Sequence, residues 1–75
     1  MVKSEWQPFG LAERIKEVAW KKRMSIRELA EAADISKRTL EKVIYGAEPG
    51  VSIIVRLCIA HDLSADWLLF GRTFP

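Results

Sequence analysis

Residues 25–46 read SIRELAEAADISKRTLEKVIYG and contain the start signals of two short helices. Ser25 and, three residues later, Glu28 form a capping box, in which each side chain bonds to the backbone N–H of the other residue. Ser36 stands where a second N-cap is needed, just after a turn at residues 34–35. Because almost no chain joins the two segments, the helices must cross, and the stretch predicts a helix-turn-helix.

The second of these helices offers cations to its surroundings. Lys37 and Arg38 open it, Lys42 lies near its middle, and Thr39 adds a hydroxyl group. Donors of this kind suit the acceptor-rich major groove of DNA. Cations on an exposed helix face can also serve only to keep a protein soluble. For any one of these cations alone, contact with DNA and a solubilising role are equally supported. The three cations together favour contact with DNA.

The length and charge of the chain set the scale of the protein. With 75 residues, about half of them apolar, it can build one small domain with a single core. The net charge of +2 is by itself weak evidence for a nucleic-acid partner. Residues 1–45, however, hold ten of the twelve Lys and Arg and seven of the ten Asp and Glu. The basic excess therefore goes with the two tandem helices.

Cys58 is the only cysteine, which excludes an internal disulfide and offers no cluster from which a zinc site could be built. We interpret it as a small core residue in a protein of the reducing cytoplasm. No apolar run approaches the roughly 20 residues of a membrane helix, and the N-terminus lacks the layout of a signal peptide. We therefore expect a soluble, unprocessed, cytoplasmic protein.

The sequence contains no pattern typical of an active site. Four glutamates lie in pairs at helical spacing, but basic residues alternate with them, as on an ordinary charged surface. We find no nucleophile-base pattern, glycine-rich phosphate loop or zinc spacing. We predict that the protein is not an enzyme and uses no metal, cofactor or small-molecule ligand. The glutamates are Glu13, Glu17, Glu28 and Glu31.

The spacing of apolar residues predicts an all-α domain of five helices over residues 11–71. An N-terminal arm of residues 1–10 precedes it, and a tail of residues 72–75 follows. Gly46 is expected to end the third helix. The first helix begins near Leu11, and the others span about 26–33, 37–45, 51–61 and 65–70. The residues expected to be buried are Leu11, Ile15, Val18, Ala19, Leu29, Ala30, Ala33, Leu40, Val43, Ile44, Val51, Ile54, Val55, Leu57, Cys58, Trp67 and Leu68.

Two short motifs stand at the start of the second helix and at the end of the domain. Residues 25–30 follow the pattern Ser-x-x-Glu-Leu-Ala, and residues 63–71 read LSADWLLFG. With the order of the five helices, these motifs make the chain resemble the lambda-type phage repressor and Cro family over residues 11–71. The resemblance implies a bundle whose third helix enters the major groove, and which binds a two-fold operator as a dimer.

The resemblance also implies which residues contact DNA. The base-reading positions of the family fall on Lys37, Arg38 and Lys42, with Thr39 beside them. Arg38 suits bidentate pairing with guanine, so we expect a preference for half-sites that contain guanine. The residues expected at the DNA backbone are Ser25, Arg27 and Ser36.

The chain departs from the family pattern at the start of the second helix. Many members place a glutamine there that bonds to a phosphate, whereas this chain has Ile26. Isoleucine cannot make that hydrogen bond, so we expect the phosphate contact to be weaker or to move to Arg27.

A second departure concerns a pair of positions. Phage repressors often bury an arginine of the first helix against a glutamate late in the third, and the matching residues here are Ala19 and Ile44. Replacing both partners of a buried ion pair by apolar residues is often neutral or stabilising. We expect the scaffold to keep its stability with one arginine fewer near the DNA.

Several large apolar residues exceed what a small core requires. We predict a weak homodimer, tighter on DNA, with Phe70, Ile59 and Trp20 at its interface. For the arm we favour packing of Trp6 or Phe9 on Trp20, while Lys3 offers a weaker case for an arm that lies along DNA.

We interpret the chain as a sequence-specific regulator of transcription, most like a phage-type repressor that occupies an operator. The alternative is a protein-interaction module, antitoxin-like or adaptor, that uses the same fold. The sequence leaves open whether the regulator represses or activates, and whether the chain is a small Cro-like protein or an excised N-terminal domain.

Overall fold

Five helices build the part of the chain that the computed structural model describes, residues 10–72. No strand occurs among these residues, so the predicted all-α fold is confirmed. The predicted helix bounds agree with the structure to within one residue. The second and third helices each end one residue earlier than expected. The helices are α1 (Leu11–Lys22), α2 (Ile26–Ala32), α3 (Lys37–Ile44), α4 (Val51–His61) and α5 (Ala65–Phe70).

Serine side chains cap the starts of three helices. Ser25 forms the predicted capping box with Glu28: Glu28 N–H donates to Ser25 Oγ at 3.0 Å, and Ser25 N–H donates to Glu28 Oε1 at 2.8 Å. Ser36 and Ser64 each accept one backbone N–H at the starts of α3 and α5. Each cap satisfies a donor that the helix itself leaves unpaired.

Each of the five described helices is followed by a residue with positive φ. At the end of α3 this residue is Gly46, whose N–H bonds to Val43 O while the Ala47 N–H bonds to Lys42 O. These two bonds form a Schellman motif, which satisfies the last carbonyl groups of a helix. The helix stop predicted at Gly46 is confirmed.

The core lies where α1, α2 and α3 meet, and α4 and α5 close it from the other side. Its fully buried leucines and isoleucine include at least one residue from each helix. Most residues predicted to be buried are buried, but Ile44, Cys58 and Trp67 are half-buried. The buried apolar set is Leu11, Ile15, Val18, Ala19, Leu29, Ala30, Ala33, Ile35, Leu40, Val43, Ile54, Leu57 and Leu68.

Val51 and Val55 of α4 were predicted to be buried, and this prediction is wrong. Val51 is 80% exposed and Val55 is 45% exposed. The apolar residues of α4 lie around most of its circumference, so the sequence of this helix does not identify one inward face. The structure turns Ile54 and Leu57 into the core and leaves both valines outside.

Polar contacts of Arg14 and His61 help to tie the helices together. The Arg14 guanidinium of α1 donates from Nε to Leu68 O at 2.7 Å and from Nη2 to Leu69 O at 3.0 Å, near the end of α5. His61, only 4% exposed at the end of α4, has its Nε2 at 3.0 Å from Leu29 O of α2. His61 therefore joins the end of α4 to α2.

Residues 1–9 and 73–75 lie outside the described residues. The expectations for Lys3, Trp6 and Phe9 fall in the first of these ranges. Gly10, which was assigned to the arm, is the N-cap residue of α1.

Candidate nucleic-acid interface

The exposed side of α3 carries the cations that the sequence singled out. Lys37, Arg38 and Lys42 are all exposed, whereas Leu40 and Val43 on the opposite side of the helix are buried. This amphipathic division fixes the rotation of α3 about its axis, because turning the helix would expose its apolar residues. The three cations are therefore held outward by the core beneath them.

The three cations differ in their local partners. Lys37 Nζ lies 3.4 Å from Glu41 Oε2, one helical turn away, and both side chains are partly exposed. Within residues 10–72, neither Arg38 nor Lys42 forms an ion pair. The uncompensated positive charge of α3 therefore lies on Arg38 and Lys42.

The hydroxyl groups at the start of α3 are bonded to each other. Ser36 Oγ accepts the Thr39 N–H at 3.0 Å, and the Ser36 hydroxyl donates to Thr39 Oγ1 at 2.8 Å. Ser36 therefore uses both its donor and an acceptor position within the cap, while Thr39 keeps its own O–H to donate. Of the two hydroxyls, that of Thr39 is the better placed to donate to a new partner.

The first turn of α2 carries Ile26 at the position where the resemblance to phage repressors implies a glutamine. Ile26 is half-buried and packs against the core, so its side chain is occupied in apolar contacts. Arg27 beside it is exposed. Ser25 accepts the capping N–H and has its own O–H left to donate. Because α2 packs on α3, Ser25 and Arg27 belong to the same two-helix unit as the cations of α3.

A residue outside the two-helix motif contacts the turn between α2 and α3. The sequence did not predict this contact. Asp34 occupies the left-handed region at φ +57°, a conformation that Asp tolerates better than most residues. Arg56 of α4 donates from Nη1 to Asp34 O at 2.7 Å and lies 3.3 Å from Asp34 Oδ2. The one arginine in the largely apolar α4 is the signal that was available for this contact.

Tyr45, at the end of α3, is a second residue that the sequence analysis did not assign to the interface. It is exposed and lies seven residues after Arg38 and three after Lys42, on the same side of the helix. Its phenol O–H is a donor of the kind that bonds to phosphate oxygens.

The three residues predicted at a dimer interface are all exposed, but they lie on three different helices. Trp20 borders a hollow with Arg23 and Met24 at the end of α1, and Ile59 of α4 borders another beside the end of α2. Phe70 ends α5, and the Arg72 guanidinium lies over its ring at 4.7 Å from the centroid.

Cys58 faces partly inward, and burial raises the pKa of its thiol above the ordinary value. Within residues 10–72, no three His, Cys, Asp or Glu side chains are grouped so that they could hold a metal ion. In the same part of the chain, no helix has both the length and the apolar character needed to span a membrane.

Comparison with known proteins identifies the family. A family model described as helix-turn-helix matches residues 15–68, which include all of α2, α3 and α4 and most of α1 and α5. Comparison with curated proteins and with solved structures gave no significant match. The matched residues include both helices of the motif, the Asp34 turn and the basic side of α3. The chain belongs to the Cro/C1-type helix-turn-helix family of DNA-binding regulators of transcription.

Proposed function

We propose that the protein is a sequence-specific regulator, a phage-type repressor, which inserts α3 into the major groove of a two-fold operator. Bound there, it excludes polymerase or a competing regulator. The observation that carries the proposal is the pair Arg38 and Lys42, exposed, without an ion pair in the described residues, and held on a helix whose other side is buried. Rigid presentation of donors is what base reading in the groove requires.

The proposed base-reading residues are Lys37, Arg38, Thr39 and Lys42. Arg38 pairs with a guanine through its two parallel N–H groups, so guanine-containing half-sites are preferred. Lys37 shares its charge with Glu41 and contributes less than the other two cations. We assign Thr39 a donor role because its O–H is not used in the cap.

Phosphate contacts set the position of the motif on the duplex. We assign them to Ser25, Arg27 and Ser36. Arg27 takes the place of the glutamine found in many relatives, since Ile26 is occupied with the core. The contribution of Ser36 is the smallest of the three, because its hydroxyl group already bonds within the cap.

The proposed operator complex contains two copies of the chain, weakly associated in solution and more tightly on DNA. Phe70, Ile59 and Trp20 are the residues assigned to the contact from the sequence. We further propose a cytoplasmic location and no enzymatic activity, as expected of a regulator.

Selection of bound sites from a random pool of DNA duplexes tests this function. The selection is repeated with Arg38→Ala, Lys42→Ala and Lys37→Ala, and binding to the selected site is then followed over a salt series. We expect an enriched two-fold motif, loss of one guanine preference with Arg38→Ala, and the smallest effect with Lys37→Ala. A uniform loss of affinity with a shallower salt dependence would make the changed residue a phosphate contact. Absence of any enriched site at low salt would overturn the proposal.

A protein-interaction module is the second candidate. The inward-facing Ile26 and the exposed Trp20 and Phe70 favour it, because they weaken the phosphate contact and offer apolar surface. Arg38 and Lys42 oppose it. No affinity for DNA, together with capture of a partner that is lost with Trp20→Ser, would favour this second function.

A further inference from the structure

Arg23 is unusual among the left-handed residues that follow the helices of residues 10–72. It follows α1 at φ +56°, and the other residues of this kind are two glycines and two aspartates. Glycine has no Cβ that would clash in this conformation, and Asp tolerates it better than most residues, whereas arginine is strained there. The strain at Arg23 is therefore a feature that a glycine would remove. The other four residues are Asp34, Gly46, Asp62 and Gly71.

The backbone bonds around Arg23 show that a glycine would suit this position. The Arg23 N–H bonds to Trp20 O at 3.1 Å, and the Met24 N–H bonds to Ala19 O at 2.9 Å. These are the two bonds of a Schellman motif, whose left-handed position is most often a glycine. The same motif at the end of α3 has Gly46 at this position. Ending α1 therefore requires the backbone of residue 23 and not an arginine side chain.

The guanidinium group of Arg23 has no task within the described fold. The side chain is exposed, and among residues 10–72 it forms neither an ion pair nor a hydrogen bond. Both preceding cations have partners, since Lys21 Nζ lies 2.9 Å from Glu17 Oε2 and Lys22 Nζ lies 3.2 Å from His61 Nδ1. Of this run of three cations, Arg23 is the one whose charge the described fold leaves available.

The corner between α1 and α2 is strongly basic. Residues 18–27 contain four Lys and Arg and no Asp or Glu. The acid that follows this stretch, Glu28, accepts the Ser25 N–H in the capping box. Arg23 stands two residues before Ser25, so their Cα atoms are at most about 7.6 Å apart. The free charge of Arg23 therefore lies beside Ser25 and Arg27, to which we assigned phosphate contacts.

We infer that Arg23 is a further positioning residue, which binds a backbone phosphate of the operator beside the phosphates held by Ser25 and Arg27. The inference rests on the proposed function, which supplies the duplex. The paired N–H donors of a guanidinium group match the oxygens of a phosphate. A hollow of about 590 Å³ opens beside Arg23, bordered by Trp20 and Met24, and leaves room for the phosphate group.

Strain and free charge at residue 23 then have one explanation. The two bonds of the Schellman motif fix the backbone of Arg23, and its left-handed conformation lowers the stability of the fold while it fixes where the side chain begins. A glycine would relieve the strain and remove the cation. Stability and affinity for DNA should therefore change in opposite directions when Arg23 is replaced by glycine.

Variants of the full chain test the inference. Arg23→Gly should raise the thermal midpoint by roughly 4 °C and lower the affinity for DNA. Arg23→Gln removes the charge alone, so the midpoint should stay unchanged while binding weakens roughly threefold to tenfold at about 0.1 M salt. The slope of log affinity against log salt concentration should become shallower by roughly 0.9. Arg23→Lys should retain more affinity than Arg23→Gln. A lower midpoint with Arg23→Gly would show that the arginine serves the fold and would contradict the inference.

Arg72→Gln is the matched control, because it removes the same charge from an exposed arginine elsewhere. Arg72 follows α5, whose last residues bond to Arg14 near the start of α1, whereas Arg23 follows the end of α1. The 12 residues of α1 separate the two ends by roughly 18 Å. Arg72→Gln should change the affinity less than twofold. Equal losses with Arg72→Gln and Arg23→Gln would indicate an effect of net charge and overturn the inference.

A neutral phosphate group locates the contact. A single methylphosphonate is placed at successive backbone positions of the selected site, and each duplex is bound by the wild type and by Arg23→Gln. At the phosphate that Arg23 contacts, the wild type should lose affinity and the variant should lose no more. Equal losses for the two proteins at every position would overturn the inference.

Duplexes of random sequence separate this inference from the proposed function, because a phosphate contact does not depend on the bases. If no site is enriched but Arg23→Gln binds random duplexes more weakly than the wild type, the contact stands and the sequence-specific function falls. An enriched site that both proteins bind equally would overturn the inference and leave the function standing. A wild type that binds no duplex at low salt would remove both.

Discussion

The Arg56 guanidinium donates from Nη1 to the main-chain carbonyl oxygen of Asp34, at 2.7 Å. The acceptor belongs to the left-handed residue of the turn between α2 and α3, and the donor comes from α4, outside the helix-turn-helix itself. A charged donor on a main-chain carbonyl is among the stronger hydrogen bonds in proteins. The angle between the two helices of the motif is thus supported from a third helix.

Replacing Arg56 by methionine should loosen this turn. Arg56→Met keeps the length and helix propensity of the side chain but removes the donor, and we expect the free energy of unfolding to fall by about 1 kcal/mol, since both groups are partly exposed to water. Amide hydrogen exchange at Ile35 should become faster. The control Asp34→Asn keeps the carbonyl group and should leave the stability within about 0.5 kcal/mol of the wild type. Equal losses in both variants would mean that the carboxylate, and not the carbonyl, is the important acceptor.

The buried ring of His61 should adopt a single tautomer. Only Nε2–H can donate to Leu29 O, and Nδ1 then accepts from Lys22 Nζ at 3.2 Å. Long-range ¹⁵N–¹H correlation spectra should therefore show the proton on Nε2. A spectrum with the proton on Nδ1 would contradict this arrangement.

Removing the His61 donor should destabilise the fold. With His61→Phe the carbonyl of Leu29 loses its ring partner in the interior, and we expect a loss of about 2 kcal/mol in a chemical denaturation experiment. Lys22→Met removes only the exposed partner of Nδ1 and should cost less than half as much. A larger loss of stability from Lys22→Met than from His61→Phe would mean that the contact with the Lys22 ammonium group, and not the bond to Leu29 O, is the more important one.

Glu41 should weaken binding to DNA, because it holds one of the α3 cations and adds a negative charge beside the others. We expect Glu41→Gln to raise the affinity for DNA several-fold at low salt. The slope of log affinity against log salt concentration should become steeper by up to the amount that about one additional phosphate contact gives. Glu17→Gln is the control, since Glu17 forms a similar pair with Lys21 at 2.9 Å but lies on α1. Equal gains in both variants would indicate a general effect of net charge.

Ala19→Arg should destabilise the domain, because it places an unpaired charge at a position that is buried in the core. We expect a loss of at least about 2 kcal/mol. Trp20→Arg introduces the same side chain at the neighbouring exposed position and should leave the thermal midpoint almost unchanged. Adding Ile44→Glu to Ala19→Arg should recover part of the loss if the two positions meet. An unchanged midpoint with Ala19→Arg would mean that the site does not need to stay apolar.

Helix starts and stops were predictable because their signals are local. Ser25 and Ser36 cap helices through bonds to residues three positions later. At the end of α3, Gly46 bonds to the residue three positions before it, and Ala47 bonds to the residue five positions before it. Such interactions act in any chain that carries these residues at this spacing. The basic side of α3 was predictable for the same reason, since its cations alternate with apolar residues at helical spacing.

The sequence by itself determined the five helices, their caps and the cations that α3 carries. Only the tertiary structure decided which side of α4 is buried. The apolar residues of this helix lie around most of its circumference, so its rotation depends on where α2 and α5 pack against it. It also decided the contacts of Arg56 with Asp34 and of His61 with Leu29, which join residues 22 and 32 positions apart. The physical reason is range: capping and helical periodicity act within a few residues, whereas burial and these hydrogen bonds exist only once separate helices have come together.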